Sequence, residues 1–274
     1  MKKIILLIIV CLTNFSCSGQ GNIFGGDIRL YKNTPAKELA KAVINEDIDE
    51  INEILKLNPS LVNFREPKFG ENLLIFSIKN LKYKSTEALL INGADPNLKD
   101  DCNGESAMTL ACNFGPNYED LTEYVRLLLK YKGNPNIVKK TGESALIEAS
   151  YTSLESLKLL LKAGANVNYY IPLDSLYFLY SGTTALTRAA SFDQIEIVKY
   201  LIDNGADICL SKKTTLSGDT IKFDYYLRHM VFELDSKDYQ LKMDVVKILK
   251  ERCGIDYWSS PVPKEILEHY SAEI

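Results

Sequence analysis

The chain has 274 residues, of which 46% are hydrophobic and 25% charged, with a formal net charge of −4. This composition is typical of a folded protein and excludes wholesale disorder. No stretch concentrates lysine and arginine as a phosphate-binding surface requires, so the sequence predicts no nucleic-acid partner.

The amino-terminal end joins Lys2 and Lys3 to an apolar run from Ile4 to Leu12. A basic start followed by an apolar segment of this length is typical of a signal peptide, and it is too short for a permanent membrane-spanning helix. We therefore predict a signal peptide over residues 1–16 and an exported protein.

The pair Ser16-Cys17 resembles the lipobox of bacterial lipoproteins, in which the cysteine becomes the first mature residue and carries the lipid. Asn14 departs from that pattern, since an aliphatic residue usually stands there, so ordinary cleavage is the alternative. The resemblance implies lipid attachment at Cys17, a location in the periplasm or outer membrane, and membrane contact through the lipid alone. Residues 17–33 are predicted to be a flexible tether, which also accounts for Gly25-Gly26.

One order of residue types recurs along the rest of the chain. The stretch Gly182–Ile208 has a turn glycine, a short helix of small residues, a leucine-rich helix and a stop at Asn204-Gly205. Copies begin at Gly70, Gly104 and Gly142, and a weaker one spans Thr34–Asn63. Their matching apolar positions are 35, 34, 38 and 40 residues apart, at Leu39, Leu74, Met108, Leu146 and Leu186.

This pattern resembles the ankyrin repeat, whose period is about 33 residues. The chain lacks the proline and histidine that usually begin the family's first helix. The resemblance implies an all-α solenoid of about six stacked helix-turn-helix units with hairpin loops, within residues 34–258. The predicted units are 34–66, 67–100, 101–138, 139–178, 179–213 and 214–258, and a capping helix over 259–274 is predicted to follow.

Recurring residue types have local physical reasons. Side-chain oxygens are expected to cap the first helices at Ser106, Ser144 and Thr184. Glycines are expected to close the second helices in a left-handed conformation at Gly93, Gly133, Gly164 and Gly205. Leucines are expected to fill the core between layers at Leu128, Leu160 and Leu201.

The segment Tyr169–Ser181 enlarges one connection between units, and it is apolar and aromatic. It is interpreted either as a hairpin or short helix packed over the adjacent unit, or as a binding loop. Cys209 and Cys253 fall in neighbouring units. In an oxidising compartment a disulfide between them is one alternative, and two free thiols are the other.

Residue patterns typical of catalysis are missing from the sequence. The two histidines, His229 and His269, lie in different segments without metal-ligand spacing, and no phosphate loop, nucleophile elbow or paired carboxylate motif occurs. The sequence therefore predicts no catalytic residue, no metal and no cofactor. An enzyme with its chemistry around one of these histidines is the competing hypothesis.

Ankyrin-repeat proteins bind partners through the hairpin tips and the outward positions of the first helices. By register, the resemblance implies partner contacts at Phe69, Asn80, Phe114, Tyr151, Tyr177, Tyr180 and Phe192. Phe114, Tyr151 and Phe192 would form an exposed aromatic column in a concave groove. The alternative is that some of these rings pack against the insertion Tyr169–Ser181.

These observations predict a non-catalytic, monomeric module that binds a protein partner at the cell envelope. A narrower hypothesis is an immunity or inhibitor protein that neutralises a toxin or secreted enzyme. A third possibility is a structural envelope protein that self-associates.

Overall fold

The computed structural model describes residues 25–113, 121–172, 181–209, 213–214 and 220–259. The predicted signal peptide, Cys17, and the predicted capping helix beyond Ser259 lie outside these residues. So do Phe114, Tyr177, Tyr180 and the middle of the insertion.

Within the described ranges the chain forms six consecutive helix pairs, one in each predicted unit. The first helices of the pairs are α1 (Lys37–Asn45), α3 (Leu73–Lys79), α5 (Ala107–Asn113), α7 (Ala145–Thr152), α9 (Ala185–Ser191) and α11 (Phe223–His229). The second helices are α2 (Ile48–Leu57), α4 (Tyr83–Ile91), α6 (Thr122–Lys130), α8 (Leu154–Lys162), α10 (Ile195–Asp203) and α12 (Lys237–Cys253).

Short elements complete the described fold. Single 3-10 turns occur at Ile28–Tyr31, Pro59–Asn63 and Tyr257–Ser259. Strands β1 (Lys213–Thr214) and β2 (Thr220–Ile221) form a small antiparallel ribbon, with Lys213 opposite Ile221. Apart from this ribbon the fold is all-α, which confirms the predicted class.

Polar side chains begin the first helices as expected. Oxygens of Ser106, Ser144 and Thr184 accept hydrogen bonds from backbone N–H groups three residues later, and Asn72 does the same for α3. Each such cap stabilises a helix by about 1 kcal/mol. The predicted N-caps are confirmed.

The described residues form two compact bodies, each with its own apolar core. The first body comprises residues 25–111 and 121–140, and the second comprises 112–113 and the described residues from 141 onward. Leu128 lies in the core of the first body, and Leu160 and Leu201 lie in that of the second; all three are 0% exposed. In the second body, α9 packs against both α7 and α11. The predicted core leucines are confirmed.

Asparagine side chains tie the end of one repeat to the loop of the next. Asn97 Oδ1 accepts from Asn134 N at 2.7 Å, and Asn97 Nδ2 donates to Lys132 O at 3.3 Å. Asn63 in the first body and Asn168 in the second make the same pair of contacts. These bridging contacts were not predicted from the sequence.

The glycine that closes the second helix is confirmed in three repeats and wrong in one. The φ angles of Gly93, Gly164 and Gly205 are 87°, 91° and 91°. In the third repeat the left-handed residue is Lys132, with φ 67°. Gly133 lies one position further on, where a Cβ would meet Leu128 O at 2.9 Å. Close backbone approach is therefore its role.

Residues 25–33 do not form the predicted tether. The turn Ile28–Tyr31 packs against the repeats, and Tyr31 is 0% exposed. Its ring lies edge-on to Phe76 with centroids 5.2 Å apart, and its hydroxyl donates to Glu71 O at 3.1 Å. The tether prediction is wrong here because Leu30 and Tyr31 bring apolar area that covers the start of the first body.

The described ends of the insertion Tyr169–Ser181 pair as a hairpin. Ile171 exchanges backbone hydrogen bonds with Gly182 and Thr183, and its side chain is 0% exposed. The hydroxyl of Tyr169 donates to Gly142 O at 2.8 Å. These ends agree with the packed-hairpin interpretation.

Cys209 and Cys253 form a disulfide with their Cα atoms 5.5 Å apart. The disulfide alternative is therefore confirmed. It closes a loop with a sequence separation of 44 residues that carries the last helix pair. Such cross-links stabilise folds chiefly by restricting the unfolded chain.

Among the described helices, none has the length and apolar character needed to cross a membrane.

Replacing Lys132 with glycine is expected to raise the unfolding free energy by up to about 1 kcal/mol, because it removes the Cβ from a left-handed residue. Urea unfolding monitored by circular dichroism measures the change. The matched control is Lys130→Gly within α6, whose free energy of unfolding is expected to fall by about 1 kcal/mol. Equal losses in both variants would contradict the assignment.

Replacing Asn97 with alanine is expected to lower the unfolding free energy by about 1–2 kcal/mol, because two hydrogen bonds to the next loop are lost. Asn97→Asp keeps the acceptor for Asn134 N–H and loses only the donor, so a smaller loss is expected. Denaturation of the two variants side by side tests the bridge. An unchanged midpoint for Asn97→Ala would show that it contributes nothing.

Candidate partner-binding surface

Four of the seven predicted contact residues lie within the described part of the chain. Phe69 and Asn80 belong to the first body, and Tyr151 and Phe192 to the second. Among these four, the structure brings together Tyr151 and Phe192.

Tyr151 and Phe192 form a stacked aromatic pair. Tyr151 lies at the carboxyl end of α7, and Phe192 is the residue directly after α9. Because α7 packs on α9, the two rings meet with centroids 4.7 Å apart and planes 23° apart. Both residues are half-buried, so part of the pair faces solvent. This matches part of the predicted aromatic column.

Buried polar groups fix the Tyr151 ring in place. Its hydroxyl lies 2.7 Å from Glu148 Oε2 and 2.8 Å from Asn113 Oδ1. Glu148 is only 1% exposed. Burial, followed by the charge of Glu148, raises the pKa of Tyr151 well above its ordinary value. The phenol therefore stays protonated at physiological pH and supplies a fixed ring rather than an acid or base.

Charged side chains border the aromatic pair. The guanidinium carbon of Arg188 lies 5.7 Å from the centre of the Tyr151 ring, and its Nη2 pairs with Glu143 Oε1 at 2.5 Å. Both partners are largely buried. A cation at this distance is attracted by the ring face.

Glu148 and Arg188 were not predicted from the sequence as parts of this surface. The only signal was their spacing, because Glu148 stands one helical turn before Tyr151 and Arg188 four residues before Phe192. Such spacing places residues on one helix face. It does not distinguish a buried charge from a solvated one, so the pattern alone could not identify them.

Asn80 contacts the amino-terminal segment of its own chain, which corrects its prediction as an open partner contact. Asn80 Nδ2 donates to Gly26 O at 2.9 Å, and Gly26 N donates to Glu71 Oε1 at 3.0 Å. The other Glu71 oxygen pairs with Lys79 Nζ at 2.6 Å. The main chain of Gly26 thus occupies the place that a partner would need.

Gly25 and Gly26 lie against the Lys79 side chain of their own body, and the left-handed backbone of Gly26 favours glycine. A Cβ on Gly25 would lie 2.8 Å from Lys79 Nζ, and Gly26 has a φ of 85°. The earlier explanation by a solvated tether is therefore wrong. Burial raises the pKa of the Glu71 carboxyl, although the Lys79 ammonium opposes this shift.

Phe69 is not presented at the hairpin tip, because only 8% of it is exposed. The buried carboxylate of Glu66 accepts from Lys68 N and Phe69 N, both at 2.7 Å, and so holds the turn that directs the ring inward. Lys68 Nζ lies 4.8 Å from the ring centre. The expectation of an exposed Phe69 ring is wrong.

The described residues contain no group of three or more His, Cys, Asp and Glu side chains that could hold a metal ion. His229, the histidine of the enzyme hypothesis within the described range, has its Nδ1 2.6 Å from Tyr225 O and its ring 4.2 Å from that of Tyr225. The stacked rings of Tyr151 and Phe192 present part of their apolar surface to solvent.

Comparison with protein families finds ankyrin repeats in two overlapping regions. A family model described as ankyrin repeats (3 copies) matches residues 74–171, and one described as ankyrin repeats (many copies) matches residues 149–202. Among curated proteins, no sequence match was found.

Solved structures show the same fold. An ankyrin repeat domain from Acinetobacter baumannii AYE is 24% identical, with a TM-score of 0.60, and the match covers 77% of this chain and 96% of that domain. Another solved ankyrin repeat protein is 23% identical, with a TM-score of 0.56, over 80% of this chain and 99% of the other. The chain therefore contains ankyrin repeats and has the ankyrin-repeat fold.

Proposed function

We propose that the protein is a non-catalytic module that binds another protein through the surface around Tyr151 and Phe192, and that it is held at the cell envelope by a lipid on Cys17. The observation that carries the binding proposal is the stack of the two half-buried rings, 4.7 Å apart. Proteins with ankyrin repeats are generally interaction modules without catalytic activity, which supports the same conclusion.

Rigidity makes this pair suitable for recognition. Aromatic side chains contribute large contact areas and are enriched among residues that dominate binding energy. Contacts of the Tyr151 hydroxyl with Glu148 and Asn113 already fix one ring, and stacking fixes the other. Little side-chain entropy is then lost on binding, so more of the contact energy appears as affinity.

Partner contact is assigned to the fourth and fifth repeats rather than to the second. In the second repeat, Asn80 is hydrogen-bonded to Gly26, and Phe69 is buried. The partner's chemistry follows from the exposed part of the aromatic pair, which suits an apolar or aromatic side chain of another protein.

The envelope part of the proposal rests on the sequence before residue 25 and on one structural observation. Lys2, Lys3 and the apolar run to Leu12 are typical of an export signal, and Ser16-Cys17 resembles a lipobox. The disulfide between Cys209 and Cys253 supports export, because such bonds persist mainly in oxidising compartments.

Replacing Phe192 with alanine is expected to weaken partner binding by at least about tenfold, because one ring of the stack is removed. The partner is first identified by quantitative mass spectrometry of wild-type pull-downs from cell envelopes, and Kd is then measured by titration. The matched control is Ile91→Ala, which removes an apolar side chain outside the proposed surface; Ile91 is 64% exposed. A folded Phe192→Ala variant with wild-type affinity would refute the proposed surface.

Replacing Cys17 with serine is expected to move the protein from the membrane fraction to the soluble envelope fraction, because the acyl chains supply the membrane affinity. Cys11→Ser, in the apolar run of the signal, is the matched control and is expected to stay membrane-bound. Fractionation with intact-mass spectrometry measures both. Membrane retention of Cys17→Ser, without a lipid mass on the wild type, would contradict anchoring and leave the binding proposal intact.

A further inference from the structure

The last helix pair of the second body contains a buried arginine that stacks on an aromatic ring. Arg228, on α11, is only 8% exposed, and its guanidinium carbon lies 4.4 Å from the centre of the Tyr257 ring. The ring is itself buried, with 7% exposure. Stacking covers a face of the guanidinium group and leaves the N–H groups at its edges to find acceptors.

One edge of this guanidinium group is unsatisfied. Nε and Nη2 of Arg228 are buried and have no hydrogen-bond partner among the residues that the structure describes. These two nitrogens point their N–H bonds in nearly parallel directions, which matches the two oxygens of a carboxylate. A buried charge without such a partner is costly, so an arginine retained here needs an explanation.

A second buried cation lies nearby. Lys242, on α12, is 8% exposed; its Nζ lies 5.6 Å from the centre of the same Tyr257 ring and donates to Met230 O at 2.7 Å. Burial, followed by the charge of Arg228, lowers the pKa of Lys242 to about 8, and Asp193 opposes this shift. The buried carboxylate of Asp224, one helical turn before Arg228, also acts on the Tyr257 ring. Two cations and one carboxylate therefore meet at Tyr257, and the cluster has a net positive charge.

We infer that Arg228 and Lys242 form a binding site for a single carboxylate group. Arg228 contacts both carboxylate oxygens through Nε and Nη2, while Lys242 contributes its charge and stays bonded to Met230 O. The ring of Tyr257 holds the guanidinium plane in position. This site is separate from the Tyr151 and Phe192 surface and does not depend on the proposed function.

The test is thermal unfolding of the full chain in sodium acetate against sodium chloride at equal ionic strength. Acetate at about one hundred times its Kd is expected to raise the Tm of the wild type by roughly 5 °C. In Arg228→Met, which lacks the N–H donors, no acetate-specific shift is expected. Arg228→Lys keeps the charge without the paired donors and is expected to show less than half of the wild-type shift.

Chloride alone provides a second readout. There the Arg228→Met variant is expected to be at least as stable as the wild type, because an unpaired buried charge has been removed. This result separates a ligand site from an arginine that only supports the fold, whose loss would lower the Tm. If Arg228→Met does not fold, the comparison of Arg228→Lys with the wild type in acetate decides the question.

A third arm distinguishes the sources of the carboxylate. The peptide N-acetyl-Gly-Glu-Gly-amide presents a side-chain carboxylate, whereas acetate is a free small acid. Stabilisation by both supports recognition of an acidic side chain, and stabilisation by acetate alone supports a small free acid. An equal Tm shift in the wild type and in the arginine variants, or no shift in the wild type, would overturn the inference.

Discussion

Within each body, the structure depends on each helix pair being covered by a neighbouring pair. Most of the described helices have only seven to ten residues, too few to be stable in water alone. In the second body, Leu160 and Leu201 reach 0% exposure because successive pairs pack layer on layer. The asparagine bridges add fixed contacts between consecutive loops, so neighbouring repeats hold a constant register. A single helix pair is therefore not expected to fold without its neighbours.

The same layering creates the proposed binding surface. Tyr151 and Phe192 are 41 positions apart in the chain, and they stack only because α7 and α9 lie side by side. Fixing the Tyr151 hydroxyl uses Glu148 from its own helix and Asn113 from the end of α5. Three first helices thus contribute to a small preformed surface. In the second repeat, Gly26 contacts the equivalent position at Asn80, so the proposed partner contact is placed in the later repeats.

Repetition is why so much of the fold could be predicted from the sequence. Caps such as Ser144 and core leucines such as Leu201 act within one repeat, and each copy confirms the others. The prediction for Gly133 was wrong because Lys132 takes the left-handed conformation in that repeat. The glycine follows it by one residue and does not itself close the helix. The repeat pattern could not predict contacts between segments that are distant in the chain. Gly26 and Asn80 are 54 positions apart, and the inward turn of Phe69 depends on the buried carboxylate of Glu66.

The most direct test of the central claim is photo-crosslinking in the living cell, with a benzophenone amino acid placed at position 192 and, as control, at position 91. If the surface around Tyr151 and Phe192 contacts a protein partner, position 192 will give one discrete crosslinked product and position 91 will give none. Equal labelling at both positions, or no product at position 192 while the partner still co-purifies, would contradict the assignment of this surface.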